Sequence, residues 1–235
     1  GCPNGYLEEA AFTNMGSRIP RDPEASLTNL RRAEEVYFSH GITTIHEGLA
    51  REPEWSLLET AASKGLLRGD VAAYIDIKDS AGLLELHREY FGRYKNHLKI
   101  AGYKLFLDGS PQGRTAWVTE PYLNGEPDYR GYPIYQDNQV LEFLEKAQRE
   151  NVQIVTHCNG DAAADQLLRC YRKAYEEYGR DIRPVMIHAQ LLRAEQMPAL
   201  RELGMLASFF VAHVYHWGDI HVQNFGWERA SQISP

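Results

Sequence analysis

The chain has 235 residues, 43% of them hydrophobic and 24% charged, with a net charge of −7, which supplies the core of one large folded domain and rules out a disordered chain. The negative balance, with no Lys/Arg run interleaved with aromatics, speaks against nucleic-acid partners, and no apolar stretch approaches the roughly 18 residues of a membrane span. Cys2, Cys158 and Cys170 are odd in number and lack CxxC spacing, which argues against a disulfide framework or a cysteine zinc site and points to a reducing, cytoplasmic compartment.

Residues 1–25 contain Pro3, Gly5, Gly16, Pro20 and Pro23, too many breakers for a long element, with room for a helical turn or two at Tyr6–Phe12. From Ser26 the spacing of Leu27, Leu30, Ala33, Glu34 and Tyr37 predicts a helix that closes at His40-Gly41. Ile42–His46 then reads as a strand ended by Glu47-Gly48. A second unit repeats the plan, with a helix at Trp55–Ser63 and a strand at Val71–Ile77. A helix is expected at Ala81–Tyr94 and a third strand at Leu98–Leu107.

Residues 108–136 form the longest stretch without periodicity, rich in Gly, Pro and Tyr; long loops inside domains are usually functional or disordered. Asp137 reads as the N-cap of a helix to Glu150, and the strand that follows ends in His157. Asp161 reads as the N-cap of a helix to Tyr178, whose tyrosines fit an outer amphipathic helix, with a contact from Asp161 that orients His157 as the sharper alternative. The strand Val185–Ala189, a helix Ala194–Leu203 and the strand Met205–Phe209 complete six strands. Ala212–Asp219 follows, grouping histidines with aromatics in a loop region, 210–227.

Alternating strands and helices imply parallel strands with right-handed crossovers, either an open doubly wound sheet or a barrel. No GxGxxG or GxxxxGK[ST] follows a strand, so the open sheet lacks its phosphate-binding turn. His157 and His188 stand 31 positions apart, one βαβ step. The reading is α/β, a TIM-type (β/α)8 barrel with about six of its eight units present.

Lys104 sits among apolar and aromatic neighbours and shares a strand face with Phe106 and Asp108. Buried there, it would be a base, a Schiff-base nucleophile or a carbamate; at an edge, its ammonium would reach solvent. His157 and His188 each end an apolar run. Singly, such histidines are most often structural, but the two together with Lys104 point to metal ligation. Asp108 follows the lysine strand and could orient the lysine or a substrate, or simply make a turn. Cys158 reads as a small buried hydrophobe. Arg114, His213, His216 and Trp217 are candidate substrate contacts, while His216 and His221 fit a surface position equally well.

Five blocks carry a family resemblance: Gly41-Ile42-Thr43-Thr44-Ile45-His46-Glu47-Gly48, Tyr103-Lys104-Leu105-Phe106-Leu107-Asp108-Gly109-Ser110, Pro121-Tyr122, Thr156-His157-Cys158-Asn159-Gly160-Asp161 and Ile187-His188-Ala189-Gln190. In this order they resemble the YtcJ-like branch of the amidohydrolase superfamily, which includes N-substituted formamide deformylases. The resemblance implies a metal-dependent hydrolase on a (β/α) barrel, with one or two divalent ions, commonly zinc. It places His157 and His188 as the fifth- and sixth-strand ligands and Lys104 as a fourth-strand lysine open to carboxylation. Metal-activated water would then hydrolyse an amide or formamide-like C–N bond of a small molecule.

Two features of that pattern are missing. None of the nine histidines forms the first-strand His-x-His pair, and no eighth-strand aspartate is in place. The six strands are therefore expected to be the second to the seventh of a barrel, the chain being a central fragment. Its open edges would favour pairing with a second copy or with the remainder of the polypeptide. The alternatives are a catalytically silent barrel segment serving binding or assembly, and a metal-free lyase using Lys104 as Schiff-base nucleophile.

Overall fold

The helix that starts at Pro23 begins where a capping side chain permits it. Asp22 Oδ1 accepts from Glu24 N at 2.9 Å and Ala25 N at 3.3 Å, and Pro23 occupies the first turn, so α1 (Pro23–Ser39) starts three residues before the expected Ser26. A computed structural model describes residues 22–235 together with Gly5, Leu7, Met15 and Pro20. Apart from Leu7, the helical turns expected at Tyr6–Phe12 lie outside the described residues.

β1 (Thr44–Ala50), α2 (Glu52–Ser63) and β2 (Asp70–Asp76) follow. Glu47-Gly48 does not end β1; a register shift between Glu47 and Ala50 against β2 absorbs it. The single helix expected at Ala81–Tyr94 is replaced by α3 (Gly82–Leu86) and a 3-10 turn at Arg88–Tyr90. Beyond Tyr90 the backbone is drawn into bridges, Phe91 with Ile100 and Lys95 with Leu98, which a continuing helix could not make.

β3 (Leu98–Phe106), α4 (Asp137–Glu150), β4 (Ile154–Cys158) and α5 (Asp161–Tyr178) build the centre. Asp137 is not the cap of α4. Gln136 is, its backbone N–H donating to Gln139 Oε1 at 3.1 Å, and Asp137 pairs instead with Arg169 of α5 at 2.8 Å. The cap of α5 is likewise one residue earlier than expected, at Gly160, where a Cβ would stand 1.8 Å from the Trp117 carbonyl oxygen. β5 (Val185–His188), a 3-10 turn at Ala194–Gln196, α6 (Met197–Glu202), β6 (Leu206–Phe209) and α7 (Ala212–Ala230) complete the chain. The region 210–227 is therefore mostly helix rather than loop, because His213, His221, Asn224 and Phe225 form one buried stripe; the helix is interrupted at Gly226, φ 77° and ψ 163°.

The six strands of the described residues are parallel and lie in chain order, β1-β2-β3-β4-β5-β6. A doubly wound sheet reverses its order at a switch point, and this one never does. With right-handed crossovers the helices then all fall on one side, and the sheet curls as part of a barrel. The core lies between the sheet and those helices, with Trp55, Leu98, Ile100, Leu144, Ile154, Leu167 and Tyr171 all at most 1% exposed. Tyr171 thus belongs to the buried face of the amphipathic α5. A smaller cluster, Val118, Tyr122, Leu191, Phe225 and Ile233, fixes the loop 108–136 against α7. No described helix is long and apolar enough to cross a membrane.

A shift between Ala73 and Tyr74 in the β2/β3 register reverses the faces of β3 midway. Leu98 and Ile100 are buried on one side of it, while beyond it Tyr103 reaches α4, its hydroxyl 2.7 Å from Glu150 Oε2. That reversal brings Lys104 and Phe106 to the concave face. Gly102 permits it, since a Cβ there would stand 2.3 Å from the Gln153 carbonyl oxygen. Gly102→Ala is expected to cost about 2–3 kcal/mol, read as a lower urea midpoint; an unchanged midpoint would show that the strands can part at no cost.

Candidate functional site

Three adjacent strands deliver one polar group each to the concave face. In the register, Phe106 of β3 pairs with His157 of β4, and Cys158 of β4 pairs with His188 of β5. The His157 and His188 rings meet edge to face at 4.7 Å, and Phe106 lies 4.9 Å from His157. Lys104 is 4% exposed. Its Nζ lies 4.5 Å over the Phe106 ring, and among the described residues it makes no hydrogen bond or ion pair. Burial therefore pulls its pKa from 10.5 to about 7, because a charged amine without a partner is costly out of water. Of the two readings left open, the buried lysine is the one found, on a strand inside the sheet.

Both imidazoles are held neutral. Burial lowers His157 to about 3, against a raising hydrogen bond to Gly109; burial, then the charges of Lys104 and His213, lower His188 to about 4. The His157 Nε2 is 3.0 Å from the Gly109 carbonyl oxygen. His188 has ring contacts to His157 and, at 5.9 Å, Phe210, but no hydrogen bond among the described residues. Its backbone is left-handed, φ 73°, and so is that of Ala189, φ 46°, strain of a kind that gathers at functional sites.

Asp108 organises the floor. Its carboxylate accepts from Asn159 N at 3.0 Å, Gly160 N at 2.7 Å and Trp117 N at 3.0 Å, and Oδ1 lies 3.7 Å from His157 Nε2. Asp161 does not contact His157. It binds Thr119 by backbone and hydroxyl, and Arg193 at 2.7 Å, tying the long loop to the segment after β5. Cys158 is buried, as expected of a small hydrophobe.

The candidate substrate contacts separate. His213 is buried and hydrogen-bonded, while His216 and Trp217 are exposed on α7. Arg114 is turned to the Asn124 carbonyl. No hydrogen bond or ring contact among the described residues joins Arg114, His216 or Trp217 to Lys104, His157 or His188. His221, for which a surface position was open, is 1% exposed.

Sequence reasoning passed over three residues. His46 of β1 lies against Tyr74, the rings tilted at 44° with centroids 4.5 Å apart, its pKa lowered by desolvation and by Lys104; its place at the end of the expected strand Ile42–His46 was the available signal. Asn159 and Gln190 join a buried chain of hydrogen bonds. Asn159 Nδ2 is 2.7 Å from the Gly109 oxygen and 3.0 Å from His157 Nε2. Gln190 Nε2 lies 2.5 Å from both Asn159 Oδ1 and His213 Nε2, and His213 Nδ1 is 2.9 Å from His221 Nε2.

Two neutral imidazoles and an amine that is half neutral near pH 7 suit a borderline metal such as zinc. Among the described residues no three His, Cys, Asp or Glu side chains converge on one point. Lys104 would have to supply the third ligand as a carbamate: its neutral amine adds carbon dioxide and releases a proton, leaving an N-carboxylate.

The family model described as the Amidohydrolase family matches residues 1–235. The Bacillus subtilis (strain 168) protein YtcJ, whose name places it with the amidohydrolases, is 31% identical over 147 residues, covering 57% of this chain and 27% of its own. LONG AFTER FAR-RED 3 of Arabidopsis thaliana is 26% identical over 251 residues, 100% of this chain and 42% of its own. The crystal structure of an uncharacterized metal-dependent hydrolase from Pyrococcus furiosus superimposes with a TM-score of 0.77 at 26% identity, covering 97% of this chain and 47% of that one. The chain thus spans less than half the length of each of these relatives.

Proposed function

Because this chain belongs to the amidohydrolase family, we propose that it carries the lysine and histidine ligands of a divalent-metal hydrolase that splits the C–N bond of an amide or formamide-like small molecule. One observation carries the reading: Lys104, His157 and His188 lie on neighbouring strands at the concave face, and among the described residues neither the Lys104 amine nor the His188 ring makes a side-chain hydrogen bond. The similarity to a solved metal-dependent hydrolase supports it.

His157 and His188 would hold the ion, most simply zinc, with Lys104 joining as a carbamate. When bound, a divalent ion supplies an acidified water and polarises the scissile carbonyl. The chain's own residues do the preparation. Burial keeps both imidazoles unprotonated and therefore able to ligate. Phe106 covers the Lys104 amine and, with the burial of the strand, keeps it in its reactive form, while Phe210 flanks His188. Gly109, Asn159 and Asp108 surround His157 Nε2 and hold the ring in place.

The test is metal content after dialysis against zinc, by plasma mass spectrometry, for wild type, His157→Ala and His188→Ala. Near-stoichiometric metal, lost by at least tenfold in both variants, is the expected result. A wild type without metal would sink the reading in favour of a catalytically silent binding or assembly segment. The buried Lys104 amine also suits a Schiff-base lyase; borohydride trapping of a carbonyl compound on Lys104 in metal-free protein would select that chemistry.

A further inference from the structure

We propose that Arg51 sets the substrate class of the candidate site: it grips a carboxylate on the small molecule, so that the amide hydrolysed there is that of an acid. Asp76 aims it. The proposal rests on the reading of Lys104, His157 and His188 as the metal-binding cluster and names the specificity residue of that same site.

The strand register places Arg51 on the right rim. Asp76 ends β2 and pairs with Lys104 of β3, while its neighbour Ile75, 0% exposed, belongs to the core between sheet and helices. By alternation Asp76 faces the concave side, as Lys104 does. Arg51 directly follows Ala50, the last residue of β1, which pairs with Ile75. Its Nε donates to Asp76 Oδ2 at 2.6 Å.

Both ends of this side chain are fixed before any ligand arrives. Asp76 is 5% exposed, and its other oxygen accepts from Lys78 N at 3.1 Å, which holds the carboxylate in place under the guanidinium. The Arg51 backbone opens α2, its carbonyl accepting from Trp55 N at 2.8 Å and its N–H donating to Glu54 Oε2 at 3.3 Å. A guanidinium carries five N–H donors. The Nε edge serves Asp76, while the two terminal amino groups make no hydrogen bond among the described residues, on a side chain 42% exposed. The other carboxylates close enough to act on Arg51 are Asp79 and Glu54; Asp79 pairs with Lys78 at 3.7 Å, and Glu54 is engaged at the Arg51 backbone. The Tyr135 hydroxyl lies near Asp76, Asp79 and Arg51 and is held protonated by burial, pushed up to about 12. It offers a second donor on that rim.

The open edge of the fork decides the ligand. Two parallel N–H groups match the two oxygens of a carboxylate and bind it more strongly than any neutral acceptor. As a brace alone the pair would contribute little, because ion pairs this close to solvent are weak and the backbone ladder already joins β1 to β2. From β2, which seats the guanidinium, to β4, which carries His157, is two strand spacings, on the order of 10 Å. An acid whose carboxylate stands several bonds from its amide spans that distance.

The experiment titrates N-formyl-6-aminohexanoate and its uncharged primary amide into metal-free protein, following backbone amide shifts by NMR. Wild type should bind the acid at least about tenfold more tightly than the amide. Arg51→Gln should bring the two constants together, and Arg51→Lys should keep only part of the preference, since an ammonium lacks the two-pronged grip. Thermal unfolding checks the fold; if Arg51→Gln does not fold, Arg51→Lys carries the test through a preference reduced at least about threefold. Equal binding of acid and amide by wild type, binding of neither, or an undiminished preference in every folded variant overturns the anchor. An Arg51-dependent preference in a protein that takes up no metal supports the anchor and removes the hydrolase reading; metal uptake without a preference for the acid does the reverse.

Discussion

Lys104→Met is expected to stabilise the metal-free protein at pH 7 by about 4 kcal/mol, the free-energy equivalent of the gap between an unfolded lysine and one that titrates near 7. The residue is 4% exposed, its Nζ lies over the Phe106 ring, and methionine fills similar space without a charge. The sign follows from proton counting. Between pH 7 and 10.5 the unfolded chain holds the lysine proton and the folded chain has shed it, so wild-type stability rises with pH through that window and the full cost persists below it. Urea unfolding across the window should show this rise in wild type and a flatter curve in the variant. Parallel curves would mean that the ammonium reaches water. The same substitution should abolish any dependence of metal uptake on bicarbonate, since no carbamate can form.

Asp108→Ala should act in the opposite direction, lowering stability by about 3–5 kcal/mol. Three backbone amides, from Asn159, Gly160 and Trp117, donate to this carboxylate, and alanine leaves them without it at a site 1% exposed. Asp108→Asn should fall between, because one of its two faces must point an N–H at an N–H. The measurement is the shift of the urea midpoint at constant slope. A loss under about 1 kcal/mol would show that water replaces the carboxylate readily, and would return Asp108 to the looser role of a turn residue.

The strand plan was readable because each strand is a short apolar run bounded by turn residues, and the order followed from the lack of a phosphate-binding turn. Elements whose limits depend on tertiary contacts were not readable. Ala81–Tyr94 has helical spacing, yet Phe91 leaves it to bridge Ile100. Asp137 and Asp161 look like caps, but each carboxylate is claimed by an arginine distant in sequence, Arg169 and Arg193. In the site, Lys104, His157 and His188 announced themselves by ending or occupying apolar runs. Gln190 and His213 did not, because no periodicity encodes a hydrogen bond 23 residues long in sequence. Aromatic and histidine-rich composition suggested a loop for 212–219, whereas the stripe that makes it helical also includes His221, Asn224 and Phe225, which lie beyond it.

The left-handed backbone at His188 and Ala189 bears on how such a chain can drift. Neither residue is a glycine, and each stands at φ 73° and φ 46° respectively, where a Cβ costs roughly 1–2 kcal/mol. A lineage selected for folding alone would find glycine or asparagine at these positions within a few mutations, since either relieves the strain. Histidine persists at 188 only while something rewards its ring. A descendant that had lost its chemistry but kept its fold would be expected to lose this histidine early, ahead of the well-packed residues around it.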